Sequence, residues 1–255
     1  MSNLTAKAEQ FSALHVPGRP LVLFNAWDAG SAKAVAAGGA AAIATGSWGV
    51  AAANGYADGE QMPVELALAN LERIVGAVNL PVTIDLESGY GSNADAVARM
   101  AMRAVQAGAI GCNLEDSYPG NGTLRPAAEQ VHRIGAVRAM CAGMELPFFI
   151  NARTDLFLRS DPATHGALAD EAIARARAYA DAGASGFFVP GLADPELIAR
   201  VVREAPLPLN IMVTGATPSL KQLAELGVAR VSHGPRPYLQ MMKALEQAAR
   251  AALAG

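Results

Sequence analysis

The sequence predicts an α/β protein with the architecture of a (β/α)8 TIM barrel, and three observations lead to that prediction. Eight short apolar segments with the length of buried strands alternate with helical segments along the 255 residues. A glycine often ends a helix just before the next strand, where the chain reverses. Prolines stand near several helix starts, where a missing backbone N–H costs nothing. Eight such units form a barrel whose functional site lies at the carboxyl ends of the strands.

The predicted elements divide the chain evenly. The strands span residues 21–26, 41–45, 82–86, 111–115, 148–152, 186–189, 209–212 and 229–232. The helices span residues 4–15, 30–37, 63–77, 93–107, 126–142, 166–182, 194–203, 218–226 and 237–252. We interpret residues 1–255 as a single barrel domain in which residues 1–19 form an N-terminal helix and linker. A doubly wound open sheet is the alternative, but the sequence has no glycine-rich dinucleotide-binding turn after the first strand.

Composition and charge exclude several classes of function. Aromatic residues make up only 5% of the chain, so Ala, Val, Leu and Ile must form the core. The net charge of −3 and the lack of a basic run argue against nucleic acid and an anionic membrane surface as partners. No apolar run reaches the ~18 residues of a membrane helix. Cys112 and Cys141 lack metal-ligand spacing, and without a signal peptide we expect free thiols in the cytoplasm.

Acidic residues at the predicted strand ends are the main candidates for chemistry. Asp85 and Glu87 follow the third strand at a spacing of i, i+2, so on an extended strand they point to the same side. Glu115 ends the fourth strand. These carboxylates repel one another unless a cation lies among them, and Mg²⁺, or Mn²⁺ in its place, prefers such oxygen ligands. An acidic strand end that only faces solvent is the alternative.

Arg153, at the end of the fifth predicted strand, can supply positive charge to the same place. A guanidinium can bind a substrate carboxylate through two parallel hydrogen bonds. The alternative is a structural ion pair with Asp155 or Glu115, because ion-pair networks also gather at barrel mouths. Backbone amides at Gly46 and Ser47 could bind a second anionic oxygen, since glycine lets a ligand approach the main chain closely.

Histidine and lysine positions narrow the chemistry further. His233 lies at the end of the eighth predicted strand, where a structural and a functional role fit equally. The histidines expected at the surface are His15, His132 and His165. All four lysines fall in predicted helices, which argues against a Schiff-base aldolase.

Six motifs between Leu21 and Leu245 together form a pattern specific enough to compare with known families, although no single motif would suffice. They read Asn-Ala-Trp-Asp-Ala-Gly-Ser-Ala from residue 25, Gly-Ser-Trp-Gly-Val-Ala from 46, Gly-Tyr-Ala-Asp-Gly-Glu from 55, Asp-Leu-Glu-Ser-Gly-Tyr-Gly from 85, Leu-Glu-Asp from 114 and Asn-Ala-Arg-Thr-Asp from 151. This set resembles the isocitrate lyase/phosphoenolpyruvate mutase superfamily. The resemblance implies a Mg²⁺-dependent enzyme that makes or breaks a C–C or P–C bond of small 2-oxo or 2-hydroxy acids.

The resemblance also assigns roles to residues. Asp85, Glu87 and Glu115 would hold the metal shell, and Asp58 would approach from the loop after the second strand. Glu87 is one methylene longer than the aspartate common at this position, which suits a water-bridged contact. The predicted substrate-binding residues are Trp27, Gly46, Ser47, Asn121 and Arg153. The predicted catalytic residues are Asp58, Arg153 and His233.

Departures from the family pattern narrow the expected reaction. Residues 116–123 contain neither the lysine nor the cysteine of the isocitrate lyase gating loop, so isocitrate cleavage is not expected. Asn121 could stand in for the asparagine of the phosphomutase loop, but Pro190 replaces a mutase histidine. The leading hypothesis is a Mg²⁺-dependent lyase acting on an oxaloacetate-like or substituted malate-like acid, with His233 or Tyr118 protonating an enolate. The alternatives are P–C chemistry on phosphonopyruvate or carboxyphosphonoenolpyruvate, and a non-catalytic barrel that binds a 2-oxo acid.

The resemblance implies an oligomer as well. Family members form a dimer of dimers in which the last barrel helix is exchanged between subunits. The apolar, Met-containing segment 237–252 is compatible with a helix at such an interface. We therefore expect a homo-oligomer.

Overall fold

A computed structural model describes residues 2–254 and contains one sheet of eight parallel strands. The strands are β1 (Leu21–Leu23), β2 (Ile43–Ala44), β3 (Val82–Asp85), β4 (Gly111–Glu115), β5 (Phe149–Arg153), β6 (Gly186–Phe188), β7 (Leu209–Met212) and β8 (Arg230–Ser232). The helices are α1 (Ser2–Ala13), α2 (Ala29–Ala37), α3 (Ser47–Ala53), α4 (Val64–Ala77), α5 (Ala94–Gln106), α6 (Ala127–Gly143), α7 (His165–Asp181), α8 (Pro195–Glu204), α9 (Leu220–Glu225) and α10 (Arg236–Leu253). This arrangement confirms the predicted (β/α)8 fold.

The barrel is nearly closed, and its joint lies between β1 and β2. The strand order is β1-β8-β7-β6-β5-β4-β3-β2, with each neighbouring pair parallel. Beyond the ends of β1 and β2, an isolated parallel bridge joins Ala26 to Thr45, and the Ala26 N–H donates to the carbonyl of Ala44 at 2.8 Å. Asn25 reinforces this joint, because its Nδ2 donates to the carbonyl of Thr45 at 2.9 Å. Both strands are shorter than predicted.

The register of the central strands places polar residues side by side. Asp85 on β3 lies opposite Asn113 on β4, and Asn113 lies opposite Asn151 on β5. Two residues further along, Glu115 lies opposite Arg153. Because side chains alternate along a strand, these residues share the inner face of the barrel. The predicted convergence of strand-end side chains follows from this register.

The end of α1 packs near the amino-terminal ends of the strands. Phe11 is fully buried, and its ring centroid lies 5.4 Å from that of Phe149. His15 follows α1 and stacks on Phe149 at 3.9 Å, so the predicted surface position of His15 is wrong. Burial, with Arg230 adding to it, lowers the pKa of His15 to about 3. His165 is also buried, and its Nε2 lies 3.1 Å from the carbonyl of Phe157.

Helix α10 keeps large apolar side chains exposed, and Leu245 has 62% of its surface exposed. None of the helices in residues 2–254 is long and apolar enough to cross a lipid bilayer.

Cys112 and Cys141 are buried free thiols, and burial raises the pKa of both, to about 11 for Cys141. Neither thiol is therefore poised to act as a nucleophile.

Candidate active site

Asp85, the last residue of β3, is oriented through both of its carboxylate oxygens. Its Oδ2 accepts the backbone N–H of Ser47 at 3.1 Å, and its Oδ1 accepts from Nδ2 of Asn113 at 3.3 Å. The backbone N–H of Asp85 also donates to Oγ1 of Thr45 at 2.9 Å. Ser47 begins α3 directly after Gly46, so the main chain predicted to bind an anionic oxygen here binds the carboxylate of Asp85.

Glu87 reaches the site by a different route from the one predicted. Strand β3 ends at Asp85, and Glu87 has a φ of 51°, in the left-handed region. The prediction that both carboxylates share a strand face is therefore wrong for Glu87. Its Oε2 accepts the backbone N–H of Glu60 at 2.6 Å, and its Oε1 accepts the hydroxyl of Tyr90. Burial raises the pKa of Glu87 to about 7 against the hydrogen bond from Tyr90, and Asp85 and Asp58 add to the rise.

Glu60 and Tyr90 are two site residues that the sequence did not single out. Both also have left-handed backbones, with φ of 60° and 48°. Oε1 of Glu60 accepts from Oγ of Ser88 at 2.6 Å and from the Tyr90 N–H at 2.9 Å. Non-glycine residues in this conformation carry backbone strain, and such strain clusters at functional sites. The Gly-Tyr-Gly sequence after Glu87 was the available signal for this tight turn.

Asp58 lies on the loop that Glu60 ties to the β3 turn. Part of the surface of Asp58 is open to solvent. Partial burial and then the charge of Asp85 raise the pKa of Asp58, while a hydrogen bond with the Ser47 side chain acts in the opposite direction. Asp58 therefore lies near Asp85 and Ser47, and its catalytic role stays a prediction.

Arg153 faces acidic residues on two sides. Its Nε and Nη2 donate to the two oxygens of Asp155 at 2.6 and 3.1 Å, and its Nη1 lies 3.0 Å from Oε2 of Glu115. Although burial acts to lower it, Glu115 and Asp155 raise the pKa of Arg153, which stays protonated. Asp155 is fully buried and also accepts from Oγ of Ser117 at 2.8 Å. Both ion pairs considered from the sequence are thus present.

Four acidic side chains form what we call the carboxylate cluster, defined as Asp58, Asp85, Glu87 and Glu115. Burial raises the pKa of Glu115 against the effect of Arg153, and the charges of Asp155, Asp85 and Glu87 add to the rise. Within residues 2–254, no three Asp, Glu, His or Cys side chains are grouped so that they could hold a metal ion. The all-oxygen donors and the excess negative charge nevertheless fit Mg²⁺, which is bound through one or two carboxylates and keeps several waters.

Three predicted site residues make no hydrogen bond or ring contact with the carboxylate cluster in the described structure. The ring of His233 lies 5.0 Å from that of Phe24, and burial lowers its pKa. The ring of Trp27 meets Tyr238 at 5.3 Å. Asn121 turns back on its own loop, where its side-chain oxygen accepts two hydrogen bonds of 3.0 Å from one threonine. Substrate contact by these three residues stays a prediction.

Comparison with known proteins identifies the family of this chain. Residues 11–253 match the profile of the family described as phosphoenolpyruvate phosphomutase. The chain belongs to this family. Members of this family and its superfamily are carbon–carbon lyases or mutases. The resemblance inferred from the six motifs is confirmed.

Individual relatives extend over nearly the whole chain. An uncharacterised protein of Mycobacterium tuberculosis H37Rv is 38% identical over 244 residues, covering 94% of this chain and 88% of its own length. The 2-methylisocitrate lyase of Escherichia coli K12 is 31% identical over 257 residues, covering 93% and 83%. The crystal structure of a candidate phosphonomutase from Burkholderia cenocepacia J2315 is 54% identical, with a TM-score of 0.95 and coverage of 99% and 100%.

Proposed function

We propose that this member of the phosphoenolpyruvate phosphomutase family is a Mg²⁺-dependent lyase. Its substrate would be a small 2-oxo (di)carboxylic acid of the oxaloacetate or substituted malate type, cleaved at a C–C bond. The observation that carries the proposal is the carboxylate cluster at the barrel mouth beside Arg153. Burial raises the pKa values of Asp58, Glu87 and Glu115, and neighbouring carboxylates add to the rise, so their ionised forms are disfavoured without a cation. A divalent cation would supply that charge.

Asp85, Glu87 and Glu115 are the residues that would hold the ion, directly or through waters. Mg²⁺, or Mn²⁺ in its place, would act when bound as a Lewis acid toward the 2-oxo and carboxylate oxygens of the substrate. Arg153 would bind the substrate carboxylate. Asp155 holds its Nε and Nη2 in place, and its Nη1 faces Glu115. Binding of an acidic substrate would therefore require Arg153 to share Nη1 between Glu115 and the substrate.

The loop over the site favours cleavage without a strong general acid. Residues 116–123 contain no Lys, Cys or His. The hydroxyl of Tyr118 donates to Glu129 at 2.6 Å, and the ring of His233 lies against Phe24. Neither side chain therefore contacts the carboxylate cluster in the described residues. Loss of CO₂ needs an electron sink more than a proton donor, whereas a retro-aldol step also requires a base. Decarboxylation is the reaction we propose first.

The test is production of a 2-oxo acid, which is pyruvate when the substrate is oxaloacetate, by protein freed of metal and then supplied with Mg²⁺ or Mn²⁺. Oxaloacetate and 2-alkylmalates would form the panel, and metal without protein gives the background rate. We expect turnover above that background and a loss of roughly 100-fold in Arg153→Ala, because misplacing the substrate weakens catalysis to this extent. Arg138→Met, a change away from the site, serves as the control. A rate equal to the background with every substrate would contradict the proposal.

A second candidate function is P–C bond chemistry on phosphonopyruvate or carboxyphosphonoenolpyruvate. It is supported by the 54% identity to the Burkholderia protein described as a candidate phosphonomutase. ³¹P NMR spectra of an incubation with phosphonopyruvate distinguish the two candidates. Conversion of the phosphonate signal to a phosphate ester or free phosphate would favour this one, and an unchanged spectrum would favour the lyase.

The same family membership supports an oligomer, and we propose a dimer of dimers built through α10. The helix leaves Leu239, Met241 and Leu245 exposed, although it lies beside an apolar groove of about 1020 Å³. Phe24 and Trp27 line that groove together with Met241. Exchange of α10 between two subunits would cover these apolar side chains.

A further inference from the structure

A fully buried arginine lies inside the barrel near the carboxylate cluster. Arg230, the first residue of β8, has 1% of its surface exposed and donates from Nη2 to Oδ1 of Asn113 at 3.1 Å. Its Nε and Nη1 have no hydrogen-bond partner in the described part of the chain. Burial lowers the pKa of Arg230 to about 9, and Asp85 is the foremost group acting in the opposite direction. A buried cation without a paired carboxylate is costly, which suggests a function.

Hydrogen bonds connect Arg230 to Asp85 through one amide. Oδ1 of Asn113 accepts from Arg230 and also from Nδ2 of Asn151 at 2.8 Å. Nδ2 of Asn113 in turn donates to Oδ1 of Asp85 at 3.3 Å. Asn113 and Asn151 are both buried, so water does not readily replace these contacts. The guanidinium therefore influences the orientation of Asp85 without touching it.

The two asparagines alone would not fix the direction of this chain. A carboxamide has nearly the same shape when its oxygen and nitrogen are exchanged, and Oδ1 of Asn151 has no partner in residues 2–254. Reversing both amides would thus keep a hydrogen bond between them, but would turn Oδ1 of Asn113 toward the Asp85 carboxylate. Arginine has donors only. Arg230 therefore favours the direction in which Asn113 presents its N–H to Asp85.

We propose that Arg230 and Asn113 are positioning residues for Asp85, with Arg230 fixing the orientation of the Asn113 amide and Asn113 holding the Asp85 carboxylate for a divalent cation. The inference rests on the proposed role of Asp85 in metal binding. Residues that hydrogen-bond to metal ligands in this way commonly change metal affinity by about 10- to 100-fold when removed. Asp85 has such a partner on each oxygen, and Asn113 is the one supplied by a side chain.

The test is a double-mutant cycle on the Mg²⁺ dissociation constant, measured by calorimetry on the full chain without substrate. The variants are Arg230→Met, Asn113→Leu and the two combined. Removing the positive charge of Arg230 changes the electrostatic attraction of the site for Mg²⁺ whether residue 113 is Asn or Leu. The effect of Arg230 on the orientation of the Asp85 carboxylate, by contrast, requires Asn113. We therefore expect Asn113→Leu to weaken binding about tenfold or more. Arg230→Met should weaken binding at least about fivefold more in the presence of Asn113 than in its absence.

The outcomes separate this inference from the proposed function. Wild-type protein that binds neither Mg²⁺ nor Mn²⁺ overturns both. Wild-type binding with equal effects of Arg230→Met in the two backgrounds overturns the inference alone. Asn151→Leu is the matched control, and we expect an affinity within about twofold of the wild type, because Arg230 still orients Asn113. A loss equal to that of Asn113→Leu would indicate a general packing effect and would contradict the proposal.

A variant that fails to fold does not remove the test. Circular dichroism and cooperative melting would establish folding for each variant, and a buried arginine can often be replaced by an apolar residue of similar volume. Should Arg230→Met not fold, Asn113→Leu decides alone. An unchanged dissociation constant for Mg²⁺ in Asn113→Leu overturns the proposal, and a loss of about tenfold supports it.

Discussion

The acid–base behaviour of Glu87 links the proposed metal site to pH. Burial raises its pKa from the ordinary value of 4.5 to about 7. The folded protein therefore holds a proton that the unfolded chain has released, so without metal Glu87 lowers stability progressively as pH rises from about 4.5 to about 7. A cation competes with that same proton. Higher pH should thus favour metal binding.

We predict that the affinity for Mg²⁺ rises between about pH 6 and about pH 8, with release of a proton on binding. Calorimetry in buffers of different ionisation enthalpy measures both quantities. Glu87→Gln should make the pH dependence shallower, because one titrating carboxyl is removed while Glu115 remains. Glu65→Gln, outside the cluster, should leave the dependence unchanged. An affinity that does not vary with pH in the wild type would contradict the prediction.

His15 has the opposite shift, at the other end of the barrel. Its pKa falls from 6.5 to about 3 through burial, so the folded protein keeps the ring neutral where the unfolded chain is protonated. We predict that stability contributed by His15 is present above about pH 6.5 and is lost as pH falls toward 3. Urea denaturation at about pH 7.5 and about pH 5 measures this effect. The free energy of unfolding should fall less in His15→Phe than in the wild type, and equal decreases would contradict the prediction.

At the level of elements, the loop of residues 54–62 is held to the β3 turn by Glu60. Its side chain accepts hydrogen bonds from Ser88 and Tyr90, and its backbone N–H donates to Glu87. Since the same loop carries Asp58, the contact also determines where that carboxylate lies. Removing the Glu60 side chain deletes the two hydrogen bonds that it accepts but keeps the one from its backbone.

We predict that Glu60→Ala loosens this loop. Hydrogen exchange followed by mass spectrometry should show faster exchange in residues 54–62, because two bonds that restrain them are lost. Gln61→Ala is the matched control, since Gln61 contacts only the carbonyl of Gly59 among the described hydrogen bonds. Equal exchange in both variants would show that Glu60 does not restrain the loop.

The sequence predicted elements well where buried strands set a clear alternation. The bounds of β4 and β7 agree with the prediction, those of β3 differ by one residue at its end, and those of β5 differ by one residue at each end. Helix α3 was missed, because its seven residues include Gly49 and its N-cap, Gly46, offers no capping side chain. Sequence patterns favour longer, capped helices.

The same contrast, between regular strands and irregular segments, explains which site residues could be predicted from the sequence. Asp85, Glu115 and Arg153 lie on strands, so alternation and register predicted their convergence. Glu87 and Glu60 depend on left-handed backbone angles, which follow from contacts between two loops distant in sequence. Side-chain pattern carries no information on such contacts.

At the scale of the whole molecule, α10 determines whether the proposed assembly forms. We predict that Leu245→Glu dissociates the oligomer, because a charge at a buried apolar contact is strongly unfavourable. Light scattering coupled to size-exclusion chromatography gives the mass. Glu246→Gln, at the next position on the exposed helix, should keep the wild-type mass. An unchanged mass in Leu245→Glu, or a monomeric wild type, would contradict the prediction.

The joint between β1 and β2 has a consequence for the motions of the barrel. Each of the seven other neighbouring strand pairs shares at least two paired positions, whereas here a single bridge and the Asn25 amide close the circle. Thermal fluctuations should therefore open the barrel first at this joint, beside Gly46 and Ser47. Such opening would disturb the hydrogen bond from the Ser47 N–H to Asp85 before it disturbed any other strand end.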